Sequence, residues 1–238
     1  FSDASGEYRL VLEAQDGLTP PREIPLQKPT RYYSPVWSPD STKLLYSDTN
    51  LNVWVLDIAS GTAKIVGRDP WMVPQRTLAP SWSPDSRWVA FATRLDSLYR
   101  AIVVADVQTG EQRQITDGLA DAMYPVWDAS GKYLWFLAIA VEGRQQRVVA
   151  VPNVPERQYA RLAPGAAGSV FFLEAPPVAE RGGAPPTLGG TLRRYRVSER
   201  TSVSFATNVG DYAVSADGKK LVYRTPARPA ADGGGEAT

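Results

Sequence analysis

The 238-residue sequence contains neither cysteine nor histidine. Without cysteine there are no disulfides, no thiolate nucleophile and no cysteine metal ligands, in any redox compartment. Without an imidazole, a Ser-His-Asp triad cannot be completed from this chain, because nothing takes the serine proton. Most zinc sites lose their ligands for the same reason. Charge of one sign is missing too: 26 Lys and Arg stand against 25 Asp and Glu, a net charge of +1. Bulk electrostatics therefore point to neither nucleic acid nor an anionic membrane. No apolar run reaches the ~18 residues that suggest a membrane-spanning helix. The opening FSDASGEYRL is polar, has no apolar stretch of the secretion-signal kind and does not start with methionine. On this reading the chain is expected to be a piece of a longer polypeptide. What remains is an ordinary globular balance, 43% hydrophobic and 21% charged, long enough to bury a core.

The informative feature is a repeat. SPVWSPDSTKLLY (residues 34–46) returns as APSWSPDSRWVAF (79–91) and again as YPVWDASGKYLWF (124–136), with Trp37, Trp82 and Trp127 spaced 45 residues apart. A fourth copy, DYAVSADGKKLVY (211–223), has Val214 at the tryptophan position, 87 residues beyond Trp127, so one degenerate copy is expected between them. Each copy reads as strand, tight turn (SPDS, ASGK or ADGK), strand. The segments NVWVLDIASGTAKIV (52–66) and RAIVVADVQTGEQRQIT (100–116) add two further strands each, joined at SG and TG. Four short antiparallel strands per ~45 residues is the size of a β-propeller blade. The runs are rich in Val, Ile, Tyr and Trp, with Gly and Pro between them, which excludes a helical solenoid.

The fold class expected is therefore all-β: a propeller of four-stranded antiparallel blades, about five blades' worth of strands, incomplete at both ends. The blades map to residues 1–27 (partial), 34–66, 79–116, 124–151, 159–206 and 211–226 (partial), all within a propeller portion 1–226. Residues 227–238 read as a disordered linker, and PPVAERGGAPPTLGG (176–190) as a flexible loop. The fourth blade is a strand short, with only RQQRVVAVP after its second strand. FSD at the start resembles the close of a second strand, as YSD does at 46–48.

Over nearly the whole chain up to residue 226, the ordered series RYYSPVWSPDSTKLLYSDTNLNVWVLDIASG, WSPDSRWVAFATRLDSLYRAIVVADVQTGEQRQITDGLADAMYPVWDASGKYLWFLA, VAVPNVPERQYARLAPGAAGSVFFLEAPP and FATNVGDYAVSADGKKLVYR resembles the β-propeller region of tricorn-type serine proteases. The SPD turn alone is weakly specific, since TolB and prolyl-oligopeptidase-type propellers share it. The resemblance implies a propeller that admits or docks oligopeptides for PDZ and serine-protease domains further along the same polypeptide, in a cytoplasmic homo-oligomer. No catalytic motif of that family is present, so no catalytic residue carries over and the segment by itself is expected to be inactive. The other class is a TolB-like propeller, periplasmic, binding protein partners without enzymatic activity. A propeller that is itself a sugar hydrolase or lactonase is disfavoured, because no cluster of carboxylates or histidines is visible.

Trp37, Trp82, Trp127 and Val214 are expected in the packing between blades rather than on a binding surface. Asp40, Asp85 and Asp217 are single carboxylates in their turns, so they read as turn caps rather than calcium ligands. Gly131 takes the corresponding turn in the third copy. Arg193, Arg194 and Arg196 form, with Arg200, the densest basic run. They are candidates for a peptide carboxylate, although Tyr195 and Val197 alternate with Arg194 and Arg196 as on an outer strand with one wet face. No metal or cofactor and no nucleic-acid partner is expected.

Overall fold

A computed structural model describes residues 1–4, 6–27, 30–71, 78–138, 151–155, 157–176 and 189–226. The chain divides into two compact units, Phe1–Val151 and Pro152–Thr238. All regular structure in the described residues is β, every ladder is antiparallel, and strands pair with their sequence neighbours.

The first unit holds two four-stranded sheets flanked by two strand pairs. One sheet is β3 (Tyr32–Trp37), β4 (Lys43–Asp48), β5 (Asn52–Asp57) and β6 (Ala63–Arg68). The other is β7 (Ser81–Trp82), β8 (Trp88–Arg94), β9 (Arg100–Asp106) and β10 (Gln112–Gln114). The flanking pairs are β1 (Arg9–Leu12) with β2 (Arg22–Pro25), and β11 (Ala122–Trp127) with β12 (Leu134–Ala138). A single bridge joins Ser2 to Arg9, so the FSD segment lies antiparallel to β1 as the end of a preceding strand would. RQQRVVAVP falls almost wholly outside the described residues, as do most of the 176–190 loop and all of 227–238.

The period-2 geometry of a strand explains how these layers stack. Leu44 and Tyr46 of β4 point to one face, where Leu10 and Ile24 of the first pair meet them. Leu45 points to the other and joins Val53, Val55 and Val66 against Val89, Phe91 and Val103 of the second sheet. Strands two and three of each sheet are apolar on both faces because both faces are covered, hence the unbroken runs LLY and AIVVA. On the far face of the second sheet, Ala92 and Ile102 pack on Ala122, Leu134 and Phe136. Gly67 is required by this stacking: a Cβ there would stand 2.2 Å from Cζ of Phe91. Asp48 is fully buried yet satisfied, accepting from Asn52 N at 3.0 Å, Asn52 Nδ2 at 2.9 Å and Trp54 Nε1 at 2.9 Å.

The second unit contains a four-stranded sheet, β13 (Tyr159–Pro164), β14 (Ser169–Glu174), β15 (Gly190–Arg196) and β16 (Thr201–Val209), and the pair β17 (Asp211–Val214) with β18 (Leu221–Arg224). Phe171, Leu192 and Val209 pack on Tyr212, Val214 and Leu221.

The degenerate copy expected between Trp127 and Val214 is visible in β13. In β3, β11 and β13 the ladder slips between the second and fifth residues, and the residue in the slip has positive φ: Ser34 (55°), Tyr124 (55°) and Arg161 (55°). These are β-bulges of one kind repeated blade after blade. The slip aligns Pro164 with Trp37 and Trp127, which is why a search for tryptophan misses it.

Candidate functional site

The repeated hairpin turn is the most regular polar arrangement in the molecule. Ser38 Oγ donates to Asp40 Oδ1 at 2.6 Å and accepts from Lys43 N at 2.9 Å. Ser83 and Asp85 repeat this at 2.5 Å, with Trp88 N as the donor at 2.8 Å. Ser215 and Asp217 do so at 2.5 Å, with Lys220 N at 2.9 Å. Each aspartate also accepts from the backbone two residues on: Thr42 N at 3.0 Å, Arg87 N at 3.1 Å and Lys219 N at 3.0 Å. These are turn caps. In the third copy the partners are exchanged, and Ser130 Oγ donates backwards to Asp128 Oδ2. The same bond is kept with donor and acceptor swapped in sequence. The residue after the capping position is left-handed in every copy: Ser41 (59°), Ser86 (59°), Gly131 (70°) and Gly218 (67°).

Hydrogen bonds raise the acidity of two of these groups. The Ser38 hydroxyl, then the Thr42 amide, hold the Asp40 carboxyl down at about 2. The Ser215 hydroxyl and Lys219 amide lower Asp217 in the same way. Both are held ionised at neutral pH, the state a cap needs and not that of a general acid.

Neighbouring turns and strands are tied one period apart. Asp40 N donates to Ser86 Oγ at 3.0 Å, Trp82 Nε1 to the Val36 carbonyl at 3.1 Å and Gln112 Nε2 to the Val66 carbonyl at 3.0 Å. Trp82 is accordingly buried, at 8% exposure. Trp37 departs from the expectation of interblade packing: it is 49% exposed. The physical reason is the layer beside it: Trp82 lies against β3, donating to the Val36 carbonyl, and no strand among the described residues stands against Trp37 in the same way. Trp127 is half-buried, and its Nε1 is enclosed without a hydrogen-bond partner among the described residues. Val214 is half-buried against the Phe171 cluster.

The basic run is not one patch. β15 is the third strand of its sheet, paired on both edges, and not the outer strand that its alternation suggested. Arg193 and Arg157 both ion-pair with Glu174, which is buried. Burial pushes the Glu174 carboxyl up, but the bonds from Arg193 and Arg157 outweigh it and leave the group lowered. Arg196 pairs with Glu199 at 2.6 Å on the surface. Arg194, in register with Phe171 and Val203, buries its Nε without a partner among the described residues. Thus Arg193 is engaged within the sheet and does not converge with the other two. Glu174, 19 residues away across a long insertion, was not found from the sequence and carries no local signal. The turn serines were findable, since a serine precedes the aspartate by two in three copies. Among the described residues no three His, Cys, Asp or Glu side chains gather as a metal site. No helix among them is long and apolar enough to cross a membrane.

Four-stranded antiparallel meanders, two of them stacked face to face in the first unit and opened by the same capped hairpin, define blades of a β-propeller. Residues 2–151 match the TolB beta propeller domain family, which is more than half of the chain. The chain belongs to that family. It is also similar to a tricorn protease homolog of Saccharolobus solfataricus, at 23% identity over 233 residues, covering 78% of this chain. The crystal structure of the tricorn protease superposes with a TM-score of 0.68 at 17% identity, covering 87% of this chain and 25% of that one. An oligogalacturonate lyase from Vibrio parahaemolyticus reaches the same TM-score, 0.68, at 10% identity, covering 95% of this chain and 66% of that one. At such identities these two superpositions report the fold. The chain spans 21% of the length of the curated tricorn homologue.

Proposed function

We propose that this chain is a non-catalytic propeller segment of a tricorn-like serine protease, gating or docking oligopeptides for PDZ and protease domains elsewhere in the same polypeptide. The observation that carries the reading is the 233-residue similarity to a tricorn protease homolog in a chain that has no histidine or cysteine to activate a nucleophile. The geometry supports it: the turn aspartates are caps and Glu174 is an ion-pair partner, and the lowered pKa of Asp40, Asp217 and Glu174 suits neither a general base poised near neutrality nor a proton donor. A cytoplasmic, homo-oligomeric parent protein belongs to this reading. The role of the segment is then to present peptide to chemistry done by other residues.

The TolB family match over residues 2–151 favours a second reading, a propeller that binds a folded protein and has no part in proteolysis. A mixture of fluorescently labelled, unstructured oligopeptides, titrated with the chain and followed by anisotropy and mass spectrometry, separates the two. Saturable binding with every peptide left intact supports the gating segment. Absence of peptide binding overturns it in favour of the protein-binding propeller, and cleavage by the chain overturns both.

A further inference from the structure

Three residues, 49–51, join β4 to β5, and five, 95–99, join β8 to β9. Both loops contain the same turn. A left-handed leucine donates its N–H to the carbonyl three residues back: Leu51 (φ 61°) to Asp48 and Leu98 (φ 66°) to Leu95. That conformation is costly for a bulky side chain. Leu51 is 4% exposed, in the core between the two sheets, whereas Leu98 is 60% exposed. The reason is the length of the ladder. Counted from the equivalent pairs Lys43–Asp57 and Trp88–Asp106, five pairs join β4 to β5 and seven join β8 to β9. The second tip therefore stands further from the core.

This tip has company. Leu95 packs on Gly118, in the segment that joins β10 to β11, where a Cβ would fall 2.2 Å from Leu95 Cδ1. Ser97 Oγ donates to the Gly118 carbonyl at 3.4 Å. Leu119, beside that contact, is 54% exposed, and Tyr99 is 48% exposed. Single exposed apolar side chains are ordinary, but three on two touching loops make a patch. Both loops lie at the end of the second sheet opposite its Ser-Asp turn, with the first sheet on one side and the β11–β12 pair on the other.

The charge that reaches solvent beside the patch is negative. Asp96 of one loop and Asp117 of the other are exposed, and Asp96 has neither hydrogen bond nor ion pair among the described residues. Arg94 and Arg100 are half-buried and in register. By strand alternation they share the face of Ala92 and Ile102 that packs on Ala122, and Arg100 Nη1 lies 2.9 Å from Met123 Sδ. Asp121 accepts from Arg100 N at 2.8 Å. Size narrows the occupant further. Three side chains, each about half exposed, offer far less than the roughly 800 Å² per partner of a stable protein–protein interface. Such an area suits an extended peptide, and neither a second copy of the chain nor a folded domain.

We propose that Leu98, Tyr99 and Leu119, with Asp96, form a docking subsite for extended oligopeptides in which a basic side chain stands next to an aliphatic or aromatic one. The proposal deepens the oligopeptide-docking reading above and rests on it. The apolar side chain of the peptide covers the two leucines and the tyrosine ring, and its basic neighbour pairs with the Asp96 carboxylate.

The probe is a fluorescein-labelled octapeptide of glycine and serine with an Arg-Leu-Phe centre, titrated into the full chain and followed by anisotropy. Companion peptides carry Glu-Leu-Phe, Gln-Leu-Phe or Arg-Gly-Ser at the centre. The first peptide is expected to bind saturably, and the Glu-Leu-Phe and Arg-Gly-Ser peptides about tenfold or more weaker. Leu98→Ser combined with Leu119→Ser, both at exposed positions, lowers affinity for the first peptide by about tenfold or more while the melting temperature stays close to that of the parent chain. Asp96→Asn weakens the Arg-Leu-Phe peptide by about threefold at low salt and leaves the Gln-Leu-Phe peptide unchanged, a split that a general loss of structure would not produce. Equal binding of all four peptides, or binding that none of these variants alters, overturns the inference and leaves peptide docking elsewhere on the chain intact. Absence of binding by every peptide removes both the inference and the docking reading. Self-association of the chain that Leu98→Ser abolishes also overturns it, the occupant then being a second copy.

Discussion

The exchanged partners at Asp128 and Ser130 make a demanding test of how the blades are held. If the first turn is stabilised by one hydroxyl–carboxylate bond regardless of order, then Ser38→Asp with Asp40→Ser reproduces in it the arrangement of the third turn. Ser38→Asp alone places a second carboxylate where the hydroxyl stood 2.6 Å from Asp40, losing the donor and adding repulsion at a buried site. Asp40→Ser alone leaves Ser38 without its charged acceptor. Each single change costs about 1.5–3 kcal/mol, the range for a hydrogen bond to a charged group. The pair, restoring that bond in reverse, is expected to recover about 1–2 kcal/mol of the summed loss. At roughly 2–4 °C per kcal/mol for a chain of this size, the singles melt several degrees lower and the double variant lies above the sum of the two. The interblade bond from Asp40 N to Ser86 Oγ uses backbone and is present in all four proteins. Thermal and urea unfolding of the four measure the coupling directly. Strict additivity would refute the reasoning, because it would mean that the two side chains do not act as one unit.

Further expectations concern backbone and pH. Arg200 is left-handed at φ 49°, donating its N–H to the Arg196 carbonyl as Gly61 and Gly110 do to Asp57 and Asp106 in the other blades. Relief of that conformation, less the extra freedom of unfolded glycine, makes Arg200→Gly stabilising by about 0.5–1 kcal/mol. Gly110→Ala is destabilising by about 1 kcal/mol through strain alone, since its Cβ would meet nothing within 4 Å; urea midpoints read both signs. Gly67→Ala drives a methyl to 2.2 Å from the Phe91 ring and costs about 1–3 kcal/mol, with Phe91→Leu in the same chain returning part of the loss on thermal unfolding. Acid acts through Asp40, at about 2, and through Asp57, Asp106, Asp217 and Glu174, all lowered. A carboxylate whose folded value lies below its unfolded one contributes stability above the unfolded value and loses it as the pH falls through the folded one. Melting temperature is therefore expected to fall as the pH drops below about 4 toward 2, with a shallower fall in Asp40→Asn.

The period, the strand-turn-strand hairpin and the four-stranded blade were legible because each blade repeats the same local chemistry: Trp or Val, a Ser-Asp turn, an apolar run. The blade near Tyr159 was legible only as a gap in the period, since Pro164 replaces the tryptophan and the surviving mark, a left-handed Arg161 in the bulge, has no residue preference to betray it. Trp37 and Trp82 have nearly identical local sequence and opposite exposure, because burial at that position is conferred by the neighbouring layer and not by the strand itself. The arginines of β15 illustrate the same limit. Alternation with Tyr195 indicates a strand, but which strand of the sheet it is, and that Glu174 holds Arg193, depends on pairing across the long insertion.

The central claim, that this propeller serves proteolysis without performing it, is tested most directly by peptidase activity on mixed fluorogenic oligopeptides. The chain and the longer polypeptide that the proposed reading requires are assayed side by side, with and without a serine-reactive inhibitor. The account predicts turnover by the longer polypeptide only, abolished by the inhibitor. Turnover by the 238-residue chain itself, or none by either, would contradict it.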